Sequence, residues 1–349
     1  MERRMVPMNN QMLGIIDAAV NQHSLQDLTA GRSIGAVPFA GRYRLIDFAL
    51  SGMIHAGIRS VAVFSKSPYR SLMDHLGSGK EWDLNRKRDG LFFLPSSLPH
   101  EEHVGLGSFR QFAEHLDYFQ RSTQQYAAVA NSYTVGHIPF QEVLKQHIES
   151  GCDLTEICQD GKPLGMYVTK KSLLREMIEG HGAEGAQSFE EVCRKERDSL
   201  SVNSYEHSGY TAVIDSPESY LLHSLNLIHP VFREQIFHMG QPVYTKIKND
   251  PPVKYAKNSR VKQSIIANGC VIEGEVENSV LFRGVHVGKG TIIKNSVVMQ
   301  KTRIGENCRL EHVICDKDVK IGHHIEMSGT MSLPFILKKG AVQGALMNS

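Results

Sequence analysis

The stretch Val271-Ile272-Glu273-Gly274-Glu275-Val276-Glu277-Asn278-Ser279-Val280-Leu281 places an apolar residue at every fifth position (Val271, Val276, Leu281), with Gly274 and Asn278 between them. The pattern continues outward in both directions. Apolar side chains recur every five or six residues at Val261 and Ile266 and at Val287, Ile293, Val298, Ile304 and Leu310, and then at Val319 and Ile325. Asn268-Gly269, Gly284, Gly288, Gly290, Asn295, Gly305, Asn307 and Gly322 separate them. One such spacing describes an ordinary strand. Twelve in register describe a hexapeptide repeat, in which three short strands close one triangular coil of a parallel β-helix. The Gly and Asn positions supply corners that need left-handed backbone angles. The period predicts about three to four coils.

Upstream of about residue 253 the rhythm is different. Short apolar runs alternate with amphipathic stretches, which predicts a mostly parallel sheet flanked by helices. Met12 to Ala19, Ser60 to Phe64 and Tyr126 to Ala130 read as strands. Tyr43 to Ala56, Phe109 to Phe119 and Ile138 to Glu149 read as helices, the first closed by Gly57 and the last by Gly151. Gly240-Gln241-Pro242 and Asp250-Pro251-Pro252 break regular structure. The division is therefore an α/β domain over 1–240, a linker over 241–254 and the β-helix over 255–349. Two domains suit a chain of 349 residues.

Composition narrows the function classes. A formal net charge of +2 gives no sign of a nucleic-acid track or an anionic membrane surface. The six cysteines (Cys152, Cys158, Cys193, Cys270, Cys308, Cys315) form no Cys-x-x-Cys pair, which argues against zinc and a disulfide framework and for a reducing cytoplasm. Glu2-Arg3-Arg4 begins like a basic leader, but Asn9, Asn10, Gln11 and Asp17 interrupt the apolar run after it. A soluble cytoplasmic protein is the expectation.

Ala36-Val37-Pro38-Phe39-Ala40-Gly41-Arg42-Tyr43-Arg44-Leu45-Ile46-Asp47-Phe48 resembles a segment of bacterial glucose-1-phosphate adenylyltransferases. Lys80-Glu81-Trp82-Asp83-Leu84-Asn85-Arg86, Glu218-Ser219-Tyr220, Pro242-Val243-Tyr244-Thr245 and Glu277 to Gly284 follow in that family's order. The resemblance spans nearly the whole chain. It implies a nucleotidyltransferase-like, Rossmann-like α/β domain followed by a left-handed parallel β-helix.

Against that frame the chemistry is missing. The family's Gly-Gly-x-Gly-x-Arg-Leu loop falls on Ala18-Ala19-Val20-Asn21-Gln22-His23-Ser24-Leu25. Amides that cradle a triphosphate need positive φ and no intervening Cβ, and Val20 meets neither need. Ser24 stands at the position of the loop arginine, whose charge would stabilise departing pyrophosphate. The two aspartates that hold Mg²⁺ in the family fall on Tyr133 and Val213, which offer no hard carboxylate oxygen. The family's sugar-phosphate stretch is cut to the dozen or so residues between Cys152 and Leu164. Of the Gly-Thr-Ala-Asp-Ala nucleotide motif, Gly107-Ser108 is kept as a remnant, with Arg110 at the polar partner's place.

This pattern resembles the family's non-catalytic companion subunit. It implies a chain inactive alone and without a cofactor of its own, in a heterotetramer with a catalytic GlgC-type subunit that carries the Mg²⁺. In resembling enzymes the region of Arg32, Arg42 and Arg44 helps to bind an anionic sugar-phosphate effector between the two domains, and arginine suits phosphate through paired charge-assisted bonds. Ile34 replaces a lysine of that region. Two other readings stand beside this one. One is a divergent, active sugar-phosphate nucleotidyltransferase with a site rebuilt from Asp17, Asp215 and Arg32; the other is a self-assembling scaffold. His286, His312, His323 and His324 are also candidates for the general base of a hexapeptide acyltransferase, though turn or surface histidines are commoner.

Overall fold

A computed structural model of the chain describes residues 11–20, 25–86, 88–96, 105–181, 188–237 and 240–344. The N-terminal domain is built on strands β1 (Met12–Asp17), β2 (Ser60–Ser65), β3 (Gly90–Pro95), β4 (Tyr126–Asn131), β5 (Leu154–Gln159), β6 (Lys162–Lys170) and β7 (Val202–Glu206). They form one sheet in the order β7-β5-β6-β4-β1-β2-β3. The run β4-β1-β2-β3 is parallel, and β6 is antiparallel to both its neighbours. All six residues of β1 and of β2 are buried, the expected state of central strands covered on both faces. Gly14 lets the helix Ile46–His55 sit close, since a Cβ there would lie 2.8 Å from Met53 Sδ.

Two helical expectations change. The helix expected from Tyr43 begins at Ile46, because Tyr43–Arg44 pairs antiparallel with Pro38–Phe39 across a turn at Ala40 (φ 49°) and Gly41 (φ 78°). Phe109 to Phe119 divides into Phe109–Ala113 and Leu116–Arg121, with His115 outside helical angles (φ −122°, ψ 31°). The split still buries Phe109, Phe112 and Phe119.

From Lys254 onward, three parallel sheets of six, five and five strands form a triangular β-helix. Val280 pairs with Val297 and Val297 with Ile314, an advance of seventeen residues per coil. The coils outnumber the three to four expected. The first rung, Lys254–Tyr255, and the last, Val342–Gln343, are solvent-exposed and lie outside the stretch of regular apolar spacing from Val261 to Ile325. Asn278, Asn295 and His312 stack as one left-handed corner (φ 44°, 48°, 51°), and Asn278 Nδ2 donates to Asn295 Oδ1 at 2.7 Å. His324 holds another corner (φ 60°). His312 and His324 thus occupy turn positions.

Residues 242–253 contain neither helix nor strand and lie along the first domain, where Tyr244 N donates to Ser51 Oγ at 2.9 Å. One side of the β-helix packs on that domain: Val280, Phe282, Val297, Met299 and Ile314 share a buried cluster with Phe39, Leu45 and Tyr220. Each such side chain contributes about 1.5–3 kcal/mol of burial, which fixes the two domains against each other.

Candidate functional site

Sheets of this class place ligands beyond the carboxyl ends of their strands, here the ends of β1 and β4. The chain has filled that place with its own groups. Asp17, fully buried, accepts the amides of Ala19 (2.7 Å) and Val20 (3.2 Å) on Oδ1 and the amide of Gly107 (2.7 Å) on Oδ2. Ser33 Oγ donates to Ala18 O at 2.7 Å, and Val20 is buried with Leu25, Leu28 and Leu106. Amides of the kind that would face an anion are turned onto an internal carboxylate. The rest of the lost loop, residues 21–24 with Ser24, lies outside the described residues.

Gly107 and Ser108, expected as a nucleotide remnant, have structural partners. Gly107 adopts φ +77°, and a Cβ there would meet Phe189 and Phe112 at 3.0–3.1 Å. Ser108 Oγ caps the helix Phe109–Ala113 by accepting Gln111 N at 3.3 Å. At the end of β4, Asn131 Oδ1 accepts the amides of Tyr133 and Thr134 at 3.0 and 2.8 Å, while its Nδ2 donates to Leu164 O at 2.8 Å.

The two positions expected to have lost metal ligands are neighbours. Val213 pairs with Thr134 in a two-stranded sheet, and Tyr133 O accepts Ile214 N at 3.1 Å. The frame brings them together as a metal pair would require, but with a phenol and an isopropyl group, which do not fit Mg²⁺. Asp17, Asp215 and Arg32, the residues of a rebuilt site, are committed separately. Asp17 holds amides, Arg32 pairs with Asp316, and Asp215 is exposed ahead of the helix Pro217–Asn226. The shortened sugar-phosphate stretch is a hairpin: β5 turns directly into β6 through Asp160 (φ 49°) and Gly161 (φ 71°), the signature of a tight type I′ turn.

A second site lies where the first domain, the linker and the β-helix meet. A cavity of about 390 Å³ is lined by Arg42 and Arg44 from the first domain, Lys246 and Lys248 from the linker, and Arg283, Lys301 and Lys317 from β-helix corners. Only three carboxylates, Asp74, Asp250 and Asp318, face these seven cations. Arg44 is held by Ser71, with Nη1 at 3.0 Å from Ser71 Oγ, and its backbone amide donates to Asp47 Oδ2 at 2.9 Å. Arg42 lies over the Tyr43 ring at 5.3 Å. Arg283 faces Asp250 at 3.6 Å.

The electrostatics record the crowding. Burial, then the charges of Arg44 and Arg32, push the Lys317 ammonium down to about 7. Burial likewise lowers Arg44 to about 10, and Lys248 and Arg283 are lowered mainly for the same reason. A cavity that depresses its own cations stabilises an incoming anion.

Arg42 and Arg44 are thus brought together. Arg32 is not at the cavity: it is 4 % exposed and forms a buried ion pair with Asp316, the residue before Lys317. Lys246, Lys248, Arg283, Lys301 and Lys317 were not identified from sequence. They come from the linker and from β-helix corners, and only the fold gathers them.

Residues 22–163 match the family described as Nucleotidyl transferase, and residues 251–329 match that described as GlmU-like, C-terminal hexapeptide. The chain is 61 % identical over 341 residues to the Glycogen biosynthesis protein GlgD of Bacillus subtilis (strain 168), covering 98 % of this chain and 99 % of that protein. It is 54 % identical over 342 residues to the protein of the same name from Geobacillus stearothermophilus, covering 98 % and 100 %. Identity falls to 27 % over 338 residues with the Glucose-1-phosphate adenylyltransferase of Bacillus cereus (strain Q1), covering 85 % and 89 %. With such identity to two full-length relatives, and with a nucleotidyl transferase domain joined to a hexapeptide β-helix, the chain belongs to the GlgD family of glycogen biosynthesis proteins.

Proposed function

We propose that this chain acts in glycogen biosynthesis as a non-catalytic, regulatory subunit, assembling with a catalytic GlgC-type glucose-1-phosphate adenylyltransferase and binding an anionic sugar-phosphate effector in the interdomain cavity. The observation that carries the reading is Asp17, whose carboxylate occupies the Ala19, Val20 and Gly107 amides at the strand ends. With those donors satisfied internally and Tyr133 and Val213 at the metal positions, charge developing on a transferred phosphoryl group would go unstabilised. Each 1.36 kcal/mol of lost stabilisation is about tenfold in rate. Mg²⁺ and turnover then belong to the partner.

The effector part rests on Arg42, Arg44, Lys246, Lys248, Arg283 and Lys317, whose excess charge suits a phosphorylated sugar. A ligand that bridges the two domains and favours one arrangement of the assembly could change a partner's apparent affinity or rate five- to about a hundredfold.

The test is ADP-glucose formation by this chain alone, by the catalytic subunit alone and by the mixture, each with and without a hexose phosphate. The expected result is background alone and altered kinetics in the mixture. Mg²⁺-dependent turnover by the rigorously purified chain would favour a divergent active nucleotidyltransferase instead. A mixture that behaves like the catalytic subunit alone would leave the regulatory reading without support.

A further inference from the structure

The β-helix is a three-sided prism, and its sides differ in how they treat charge. The first side is buried on the α/β domain through Val280, Val297 and Ile314. The second side, made by Arg260–Lys262, Glu275–Glu277, Ile292–Lys294, Arg309–Glu311 and Glu326–Ser328, faces solvent with alternating charges. Its rungs neutralise one another. Lys262 and Lys294 each reach Glu277, at 3.3 and 3.0 Å, and Arg260 lies 3.7 Å from Glu275.

The third side follows a different rule. Its rungs pair Lys254 with Val271, Val271 with His286, His286 with Arg303, Arg303 with Lys320 and Lys320 with Val342. Ile272, Val287, Ile304 and Ile321 point inward and are buried, so the alternate residues His286, Arg303 and Lys320 form one outward column. Neighbouring strands lie about 4.8 Å apart, so the cations Arg303 and Lys320 face one another at the distance where like charges are destabilising. Lys301, Lys338 and Lys339, all exposed, extend the positive charge along the adjoining corner, where exposed Asp318 offsets part of it. Among the described residues, none of Arg303, Lys320, Lys301, Lys338 or Lys339 forms an ion pair. The second side shows that the same scaffold can neutralise such a column with a carboxylate on the next rung.

We propose that this third side docks a carboxylate-rich protein surface of the partner subunit, which supplies the negative charge the column lacks. The inference rests on the regulatory-subunit reading and deepens it by naming the surface. Charge complementarity argues for it. The column is one residue wide on a flat sheet, outside the effector cavity apart from Lys301. The column takes in Val271 between Lys254 and His286 and ends in Val342, which is 56 % exposed, an apolar and cationic mixture suited to a protein face. A net charge of +2 gives the whole chain little attraction for a nucleic acid.

The experiment compares the full chain, the Arg303→Glu/Lys320→Glu variant and the Arg303→Gln/Lys320→Gln variant. Association with the catalytic adenylyltransferase subunit is measured by sedimentation and by biosensor binding at low and at moderate salt, with circular dichroism and thermal melts as controls. The proposal expects wild-type affinity to fall with salt, charge reversal to weaken association at least tenfold and the neutral variant to lie between, with unchanged spectra and melting temperatures no lower than wild type. Equal binding by all three chains overturns it while leaving the regulatory reading intact. A wild-type chain that does not bind the subunit at all defeats the parent reading and this proposal with it. Charge reversal that alters only self-association assigns the side to a second copy, and reversal that removes only retention on duplex DNA assigns it to nucleic acid; either result overturns the proposal.

Discussion

The carboxylate of Asp17 accepts the backbone amide of Gly107 at 2.7 Å, joining the end of the first strand to a segment ninety residues later, and its other oxygen accepts the amides of Ala19 and Val20. In this way the chain closes the place where a nucleotide-binding loop would open. A buried carboxylate with three amide donors is well solvated by the protein, and its removal strands the donors. Asp17→Ala should therefore destabilise the chain by about 2–5 kcal/mol, and Asp17→Asn, which keeps one acceptor oxygen, by about half as much. Chemical denaturation of the two variants checks the order; an Asp17→Ala chain as stable as wild type would contradict it.

Arg32 and Asp316 make the corresponding contact between domains, a buried ion pair spanning 284 residues of sequence. Removing one partner leaves an uncompensated buried charge. Arg32→Met alone should cost about 3–5 kcal/mol, whereas Arg32→Met/Asp316→Leu should recover most of the loss. A double-mutant cycle in denaturant measures the coupling, and additive single effects would show that the pair is not energetically linked.

Lys317 should make ligand binding in the interdomain cavity sensitive to pH. Its folded value of about 7 lies below the unfolded value of 10.5, so between these pH values the unfolded chain binds more protons, and this group raises stability with pH across that window. An anion in the cavity acts in the opposite sense, because it favours the protonated lysine. Above pH 7, where a phosphate monoester is already dianionic, effector affinity should fall with rising pH at a slope approaching tenfold per unit. Lys317→Met should flatten that slope and weaken binding roughly ten- to a hundredfold at pH 7. Trp82, the single tryptophan, meets the cavity residue His75 edge-on at 5.6 Å, so its fluorescence offers a readout. A slope unchanged in the variant would rule Lys317 out as its source.

Legibility followed the range of the interactions. The β-helix is readable because every coil repeats the same local requirement, an inward apolar residue and a left-handed corner, and only the exposed outer rungs escape notice. The helix start at Ile46 is hidden because Tyr43–Arg44 is claimed by pairing with Pro38–Phe39, a tertiary choice that overrides helical spacing. In the site, the departures from the family's motifs that the resemblance implies at Val20, Tyr133 and Val213 are visible in the residue types there. The role of Asp17 is not, since its partner Gly107 is remote and an aspartate at a strand end has no distinctive pattern. Arg42 and Arg44 stand out beside a recognisable segment, but Lys248 and Lys317 become neighbours only when linker and corner fold together.

The closed site also predicts how restoration should fail. Tyr133→Asp and Val213→Asp would return carboxylates to two adjacent backbone positions, and Ser24→Arg would return a cation to the loop. Chemistry needs these groups around a bound nucleotide, held to within a fraction of an ångström. In this chain the amides of Ala19, Val20 and Gly107 already hold Asp17, and a short hairpin through Asp160-Gly161 replaces the sugar-phosphate stretch. Tyr133 is also buried, so Tyr133→Asp places a charge in apolar surroundings and should lower the melting temperature. The triple variant is therefore expected to form ADP-glucose at the background rate with Mg²⁺, ATP and glucose 1-phosphate, while Ser24→Arg alone should fold and remain inactive. A coupled pyrophosphate-release assay on both, with melting curves to separate misfolding from inactivity, decides the point: turnover above background in either variant would mean that the nucleotide can still enter despite Asp17.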